Sequence, residues 1–446
     1  MKHAAVLGLL VLAAPALAGT AVPDTARLRA DVSRLAAPGM AGRRCGTPGG
    51  EAARRYLEGR LAELGLVPAG TDGYAQEFEV RGEQLVSGEA RLVGASGDSL
   101  ALTLQARVPL RREPVTLLRL WPDGAPPPAC GPGVALAARV PSGEEPFQPT
   151  SMRERAERAG AAALILAPHP ADTAGVYARY HRRLAGRDTR LHNVGEGLPE
   201  RPLLWLAPAD GLRLFDGPAL RPGSWRLELP AGERFRFTGA NLVADSPAGA
   251  GREPLLLVAH YDHLGRRPEG VLPGADDNAS GVATLLEFAR LAADLPGWRL
   301  LFADAEELGL LGSRAYLPAH LPPPLVINVD SVGRAAVASH RRIREPGAAD
   351  PRLMMVWASE IAGEEAARLR GLLADRGFNV EAARGPMFAR GGDHATFAGS
   401  GTAALFVCGG FHADYETPRD VPERILVERL ADLAAALRDF VASSGN

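Results

Sequence analysis

Lysine is almost missing from this chain. Lys2 is the only one in 446 residues, and arginine supplies every other basic side chain. A phosphate-cradling Gly-x-x-x-x-Gly-Lys loop cannot be built without lysine, and none occurs. Cysteine is scarce too: Cys45, Cys130 and Cys408 make up the whole set. Three cysteines in a long chain do not form a disulfide framework, and no Cys-x-x-Cys pair offers a thiolate zinc site. A Cys45–Cys130 bridge stays open, and Cys408, ending an apolar run, reads as a buried thiol. The formal net charge of −2 lacks the cationic surplus that displaces counterions from nucleic acid, which excludes a general nucleic-acid binder. No apolar run approaches the ~20 residues of a membrane-spanning helix. Neither a Gly-x-Ser-x-Gly elbow nor a His-Glu-x-x-His helix is present, which removes a serine hydrolase of that kind and a helix-based single-zinc protease.

What is present is ordinary globular composition, 46% hydrophobic and 23% charged, with length for two or three domains. Residues 1–18 read as a cleaved export signal. Lys2 and His3 precede a short apolar run, Pro15 breaks it, and Ala16-Leu17-Ala18 offers a small-x-small cleavage site. The pattern predicts a secreted or periplasmic protein. A helix is expected over 49–65, with Ala53, Leu57, Leu61 and Leu64 on one face and Gly65 as its stop. Alternating segments follow over 76–108. Residues 111–232 are rich in Pro and Gly, with one clear helix at 152–159 and a strand at 161–167, and are expected to be an inserted module. That leaves 19–110 and 233–446 as two parts of one main domain. Apolar runs at 255–259, 300–303, 325–329, 353–357 and 403–407 alternate with helical patterns at 280–294, 363–376 and 422–441. Short continuous strands between helices predict an α/β fold, a mostly parallel mixed sheet flanked by helices.

In such sheets ligands gather beyond the carboxyl ends of the strands. The first three runs end in His260-Tyr261-Asp262, Asp304-Ala305-Glu306-Glu307 and Asn328-Val329-Asp330. Gly274-Ala275-Asp276-Asp277-Asn278-Ala279-Ser280-Gly281 opens the helix after the first, and Phe411-His412-Ala413-Asp414-Tyr415-Glu416 follows the last. A lone carboxylate after a strand reads as a cap or turn. Several anionic and imidazole groups at one sheet edge would repel each other unless cations neutralise them. The mixed N/O set suits Zn²⁺.

At these motifs, together with Glu307-Leu308-Gly309-Leu310-Leu311-Gly312-Ser313, Gly392-Asp393-His394 and the upstream Gly42-Arg43-Arg44-Cys45-Gly46-Thr47-Pro48-Gly49, the chain resembles the secreted di-zinc aminopeptidase family. The resemblance spans residues 40–110 and 235–446, and the inserted module resembles a protease-associated domain. It implies two Zn²⁺ ions per chain, one held by His260 and Asp330, the other by Glu307 and His412, with Asp277 bridging. Asp262 would fix the tautomer of His260. Glu306 would be the general base for a metal-bridged hydroxide attacking the N-terminal peptide bond. Glu416 is the competing last ligand. His394 reads as a pocket contact, and His263, His320 and His340 as surface residues. The implied partners are peptides with a free N-terminus, with no nucleic acid and no stable membrane insertion; oligomeric state is left open. The same fold also serves carboxypeptidases, glutaminyl cyclases and non-catalytic receptor-like relatives, and the retained Glu306 and the full donor set favour the aminopeptidase.

Overall fold

The structure is a computed structural model. It describes residues 22–444 except 86–89, 95–98, 105–116, 132, 141–148, 172–176, 178–190, 193–202, 207–224, 229–231, 252, 268–269 and 339–346. The export signal and His340 therefore lie outside the described residues.

All five apolar runs form strands. They are β3 (Leu255–His260), β4 (Trp298–Ala303), β5 (Leu325–Asp330), β6 (Leu353–Ala358) and β8 (Ala403–Cys408), joined by β1 (Ala75–Leu85), β2 (Gly232–Asp245) and β7 (Asn379–Ala382). Their order across the sheet is β7-β6-β8-β5-β3-β4-β2-β1. The short strands Val67–Pro68 and Leu191–His192 pair with β2 and β1. The central four, β8, β5, β3 and β4, run parallel, while β6 pairs antiparallel to β8, and β2 antiparallel to β4 and β1. From β3 the chain crosses to β4 on one side and then to β5 on the other. The strand order reverses between β3 and β5, and a crevice opens there beyond the carboxyl ends.

Period-2 geometry distributes each run between two cores. Leu255, Leu257 and Ala259 of β3 face the larger core beneath α1 (Thr25–Leu35), α2 (Pro48–Glu63), α3 (Gly281–Leu291), α4 (Gly363–Ala374) and α5 (Val427–Ala442). Leu256 and Val258 face a smaller core with Tyr316 and Phe397. Burial of each such Leu or Phe contributes roughly 1.5–3 kcal/mol. In α2, Thr47 caps the first turn by accepting from Gly50 N–H, Pro48 takes N1, and the buried face is Ala53, Leu57 and Leu61. Helix α1 has no counterpart in the sequence reading; its cap, Asp24, accepts from the N–H groups of Ala26 and Arg27.

A second, 7-stranded sheet contains Trp225–Glu228, Ala90–Gly94, Ser99–Leu104, Leu203–Leu206, Ala163–Ala167, Val134–Arg139 and Leu117–Trp121, in that order. This corrects the expected boundary at residue 111. The strands over 90–104 were assigned to the main domain, yet their ladder partners belong to the second sheet. Alternation identifies a strand but not which sheet it joins. The three cysteines form no disulfide with one another, so no Cys45–Cys130 bridge forms, and Cys408 is buried.

Candidate metal centre

His260 is the last residue of β3 and Asp330 the last of β5, so both side chains reach the crevice from adjacent parallel strands. Asp277 comes from the loop ahead of α3. Two glycines define the path of that loop. Gly274 has φ +60, and a Cβ there would lie 2.2 Å from the Asp277 carbonyl oxygen; one on Gly281 would lie 2.3 Å from Asn278 Oδ1. Asn278 Nδ2 donates to Val329 O at 2.9 Å, and its Oδ1 accepts from the N–H of Gly281 at 3.0 Å, tying the loop to β5 and the helix start. The Asp277–Asn278 peptide is cis. Left-handed backbone at Ala305, Ser331 and Glu416 flanks the carboxylates, a concentration of strain usual at functional sites.

Two groups of donors share Asp277. In the first, His260 Nε2 lies 3.3 Å from Asp277 Oδ1 and 3.7 Å from Asp330 Oδ1. In the second, His263 Nδ1 lies 3.6 Å from Asp277 Oδ2 and 2.9 Å from Glu307 Oε1. Ligand bonds of about 2.0–2.2 Å in a tetrahedron put donor atoms ~3.3 Å apart, so these separations fit a zinc-sized ion in each group. Asp262 sits behind them. Its Oδ1 is 3.6 Å from His260 Nδ1 and accepts the Glu306 N–H at 3.0 Å, and its backbone oxygen lies 3.2 Å from the same Nδ1. One carboxylate thus adjoins the imidazole and anchors the turn carrying Glu306 and Glu307.

The buried carboxylates of the two groups raise one another's pKa. Burial pushes the Glu307 carboxyl up to about 8, against the pull of His260, and Glu416 and Asp262 add to the rise. Burial also holds the Glu306 carboxyl well above the ordinary range; His260 opposes it, while Glu307, Asp393 and Asp330 reinforce it. Burial lowers the His263 imidazole to about 4, leaving it neutral with a lone pair to offer. Carboxylates this crowded either take up protons or bind divalent ions.

The structure therefore brings together His260, Asp262, Asp277, Glu306, Glu307 and Asp330 of the expected residues. It does not bring in His412. The His412 Nε2 lies 3.1 Å from Asp276 Oδ2, outside both donor groups. His263, read from sequence as a surface residue, is 1% exposed and stands where His412 was expected. Glu416 is 3.6 Å from Arg267 through Oε2. The His394 Nε2 lies 2.6 Å from Phe388 O, and its ring stacks on Phe406. His320 stacks on Tyr316.

Sequence reasoning gave Arg43 no role. Its guanidinium is fully buried and donates to the carbonyl oxygens of Tyr261 at 2.8 Å, Pro273 at 2.5 Å, Gly274 at 2.7 Å and Asp277 at 3.0 Å. It fastens both ends of the loop between His260 and Asp277. No local pattern around Arg43 announces this, because all four acceptors are backbone atoms more than 200 residues away.

Fold and donor set together define an α/β protein with a candidate two-centre metal site at the sheet's switch point. Residues 241–441, which carry it, match the model of peptidase family M28. Among curated proteins, the chain is 27% identical over 286 residues to Probable lipoprotein aminopeptidase LpqL of Mycobacterium tuberculosis, covering 62% of this chain and 51% of that one. It is 29% identical to aminopeptidase YwaD of Bacillus subtilis, covering 50% and 48%. The chain thus spans about half the length of these relatives. An aminopeptidase structure from Aneurinibacillus sp. strain AM-1 shares the fold, with TM-score 0.61, 18% identity and 94% of each chain covered.

Proposed function

We propose that the chain is an exported zinc aminopeptidase that removes N-terminal residues from peptides and holds two Zn²⁺ ions. The observation that carries this reading is the sharing of Asp277 by two three-donor groups, with Glu306 directly before the donor Glu307. The match of residues 241–441 to peptidase family M28 and the similarity to the two aminopeptidases support it. Export rests on the leader-like pattern of residues 1–18. Among the described residues no helix is long and apolar enough to cross a membrane.

His260, Asp277 and Asp330 would hold one ion, and Asp277 and Glu307 would contribute to the other. Bound there, zinc supplies Lewis-acid polarisation of the scissile carbonyl and makes water acidic enough to ionise near neutral pH. The chain's own contribution is proton handling and positioning. A Glu306 Oε takes the proton of the attacking water and returns it to the leaving amine nitrogen. Asp262 keeps Glu306 in place through the Glu306 N–H and holds the His260 ring by its Nδ1 side.

The test combines metal analysis with substrate choice. Chelation should abolish cleavage of aminoacyl chromogenic substrates, and added zinc should restore it. N-acetylated versions of the same substrates should be inert. Equal cleavage of blocked and free substrates, or activity indifferent to chelators, would refute the proposal.

A further inference from the structure

The fifth protein donor expected from sequence was His412, and the geometry points elsewhere. We infer that His263 is the imidazole ligand of the second metal centre, beside Asp277 and Glu307, and that His412 is a positioning residue for Asp276. This rests on the two-centre reading above and goes beyond it by reassigning a ligand.

Four observations carry the inference. First, His263 is buried, and neither ring nitrogen has a hydrogen-bond partner in the structure. Leaving such an atom unsatisfied costs roughly 1–3 kcal/mol, so a buried imidazole with two of them implies an occupant. Second, Nδ1 and Glu307 Oε1 are 2.9 Å apart, yet both count as unpartnered, so no N–H of the ring is aimed at that oxygen. Neither atom is then committed to the other, and both stay available to an ion shared with Asp277. Third, the loop makes room for the ring. A Cβ on Gly274 would lie 2.5 Å from its Cδ2. Fourth, His412 is otherwise engaged. Its Nε2 faces Asp276 Oδ2, while Asp276 Oδ1 accepts the Gly333 N–H at 2.5 Å and the Asp276 N–H donates to Asp420 at 3.0 Å. That chain of contacts braces the residue next to Asp277 from behind the donor groups.

Metal stoichiometry of the purified full chain distinguishes the two histidines without reference to activity. After dialysis against a zinc buffer, wild type should hold two ions. His263→Ala should hold one, its second-site affinity falling by more than the ~100-fold that loss of an outer partner costs at most. Retention of the first ion reports that the variant is folded. His412→Ala should keep both, with second-site affinity reduced no more than ~100-fold. A gain of signal avoids dependence on loss. With Co²⁺ loaded, His263→Cys should show a thiolate-to-metal charge-transfer absorption that His412→Cys and wild type lack.

Two ions at wild-type affinity in His263→Ala would overturn the assignment. So would a charge-transfer band in His412→Cys but not in His263→Cys. Loss of the second ion from Glu416→Gln alone would transfer the role to Glu416 and likewise overturn it. A wild type holding no divalent ion would instead remove the two-centre reading itself, so the two failures are distinguishable.

Discussion

Arg43 offers the sharpest test of how the site is held. Replacing it with Met preserves much of the side-chain length and removes every donor. Four carbonyl oxygens, of Tyr261, Pro273, Gly274 and Asp277, then lose a partner within 3.0 Å, and that of Gly274 keeps the Ala279 N–H at 3.3 Å. At roughly 1–3 kcal/mol for each unsatisfied group, the low end for the other three is about 3 kcal/mol. Some of this is offset, because burial disfavours the charged guanidinium and holds its pKa below the usual arginine value. The low end is therefore the working figure. For a cooperative unit of about 300 residues it corresponds to a drop of about 5 °C in melting temperature. Melting should be followed by circular dichroism on metal-loaded and chelated protein at more than one scan rate, since unfolding of a protein this size can be irreversible. Metal affinity should fall in parallel, because the same carbonyls fix the loop between His260 and Asp277. An R43M protein within 1 kcal/mol of wild type, with unchanged metal affinity, would refute the argument that this guanidinium shapes the centre.

Three further outcomes are expected. Glu306→Gln should retain wild-type metal content while kcat falls by roughly 10²–10⁴, the range of a lost general base, as read from steady-state kinetics on metal-analysed samples. Gly281→Ala places a Cβ 2.3 Å from Asn278 Oδ1 and 2.5 Å from Val329 O, so metal titration should show both centres weakened and stability should drop by roughly 1–3 kcal/mol. For Asp414, burial raises the carboxyl pKa, but the guanidiniums of Arg334, Arg419 and Arg424 prevail and hold it at about 2, below the unfolded value. Its stabilisation is therefore present at neutral pH and lost as pH falls from about 4 through 2. Asp414→Asn should be less stable than wild type at pH 7 in urea titrations, with the deficit narrowing below pH 4.

Much of the site was legible because its chemistry lies where strands end. Continuous apolar runs flanked by helical patterns leave few alternatives to a covered parallel sheet, and His260 and Asp330 terminate two such runs. The 274–281 motif was read as opening a helix, and the close approaches at Gly274 and Gly281 show why glycine stands at both its ends. The boundary of the inserted module was not legible. Residues 90–104 alternate as any half-buried strand does, and only their ladder partners assign them to the second sheet. Nor was Arg43, whose acceptors are distant carbonyls.

The amino-acid order alone determined the parallel strands and the run-terminal placement of imidazole and carboxylate, from which the expectation of cations at this edge of the sheet follows. It could not choose between histidines. His263 stands three residues beyond β3 and close to its partners in sequence, whereas His412 follows the last strand of the sheet, and either spacing is compatible with a ligand. The choice depends on which way each ring points. That direction is decided by the left-handed turn at Gly274 clearing space for one imidazole and by Asp276 engaging the other, contacts that exist only once the chain has folded.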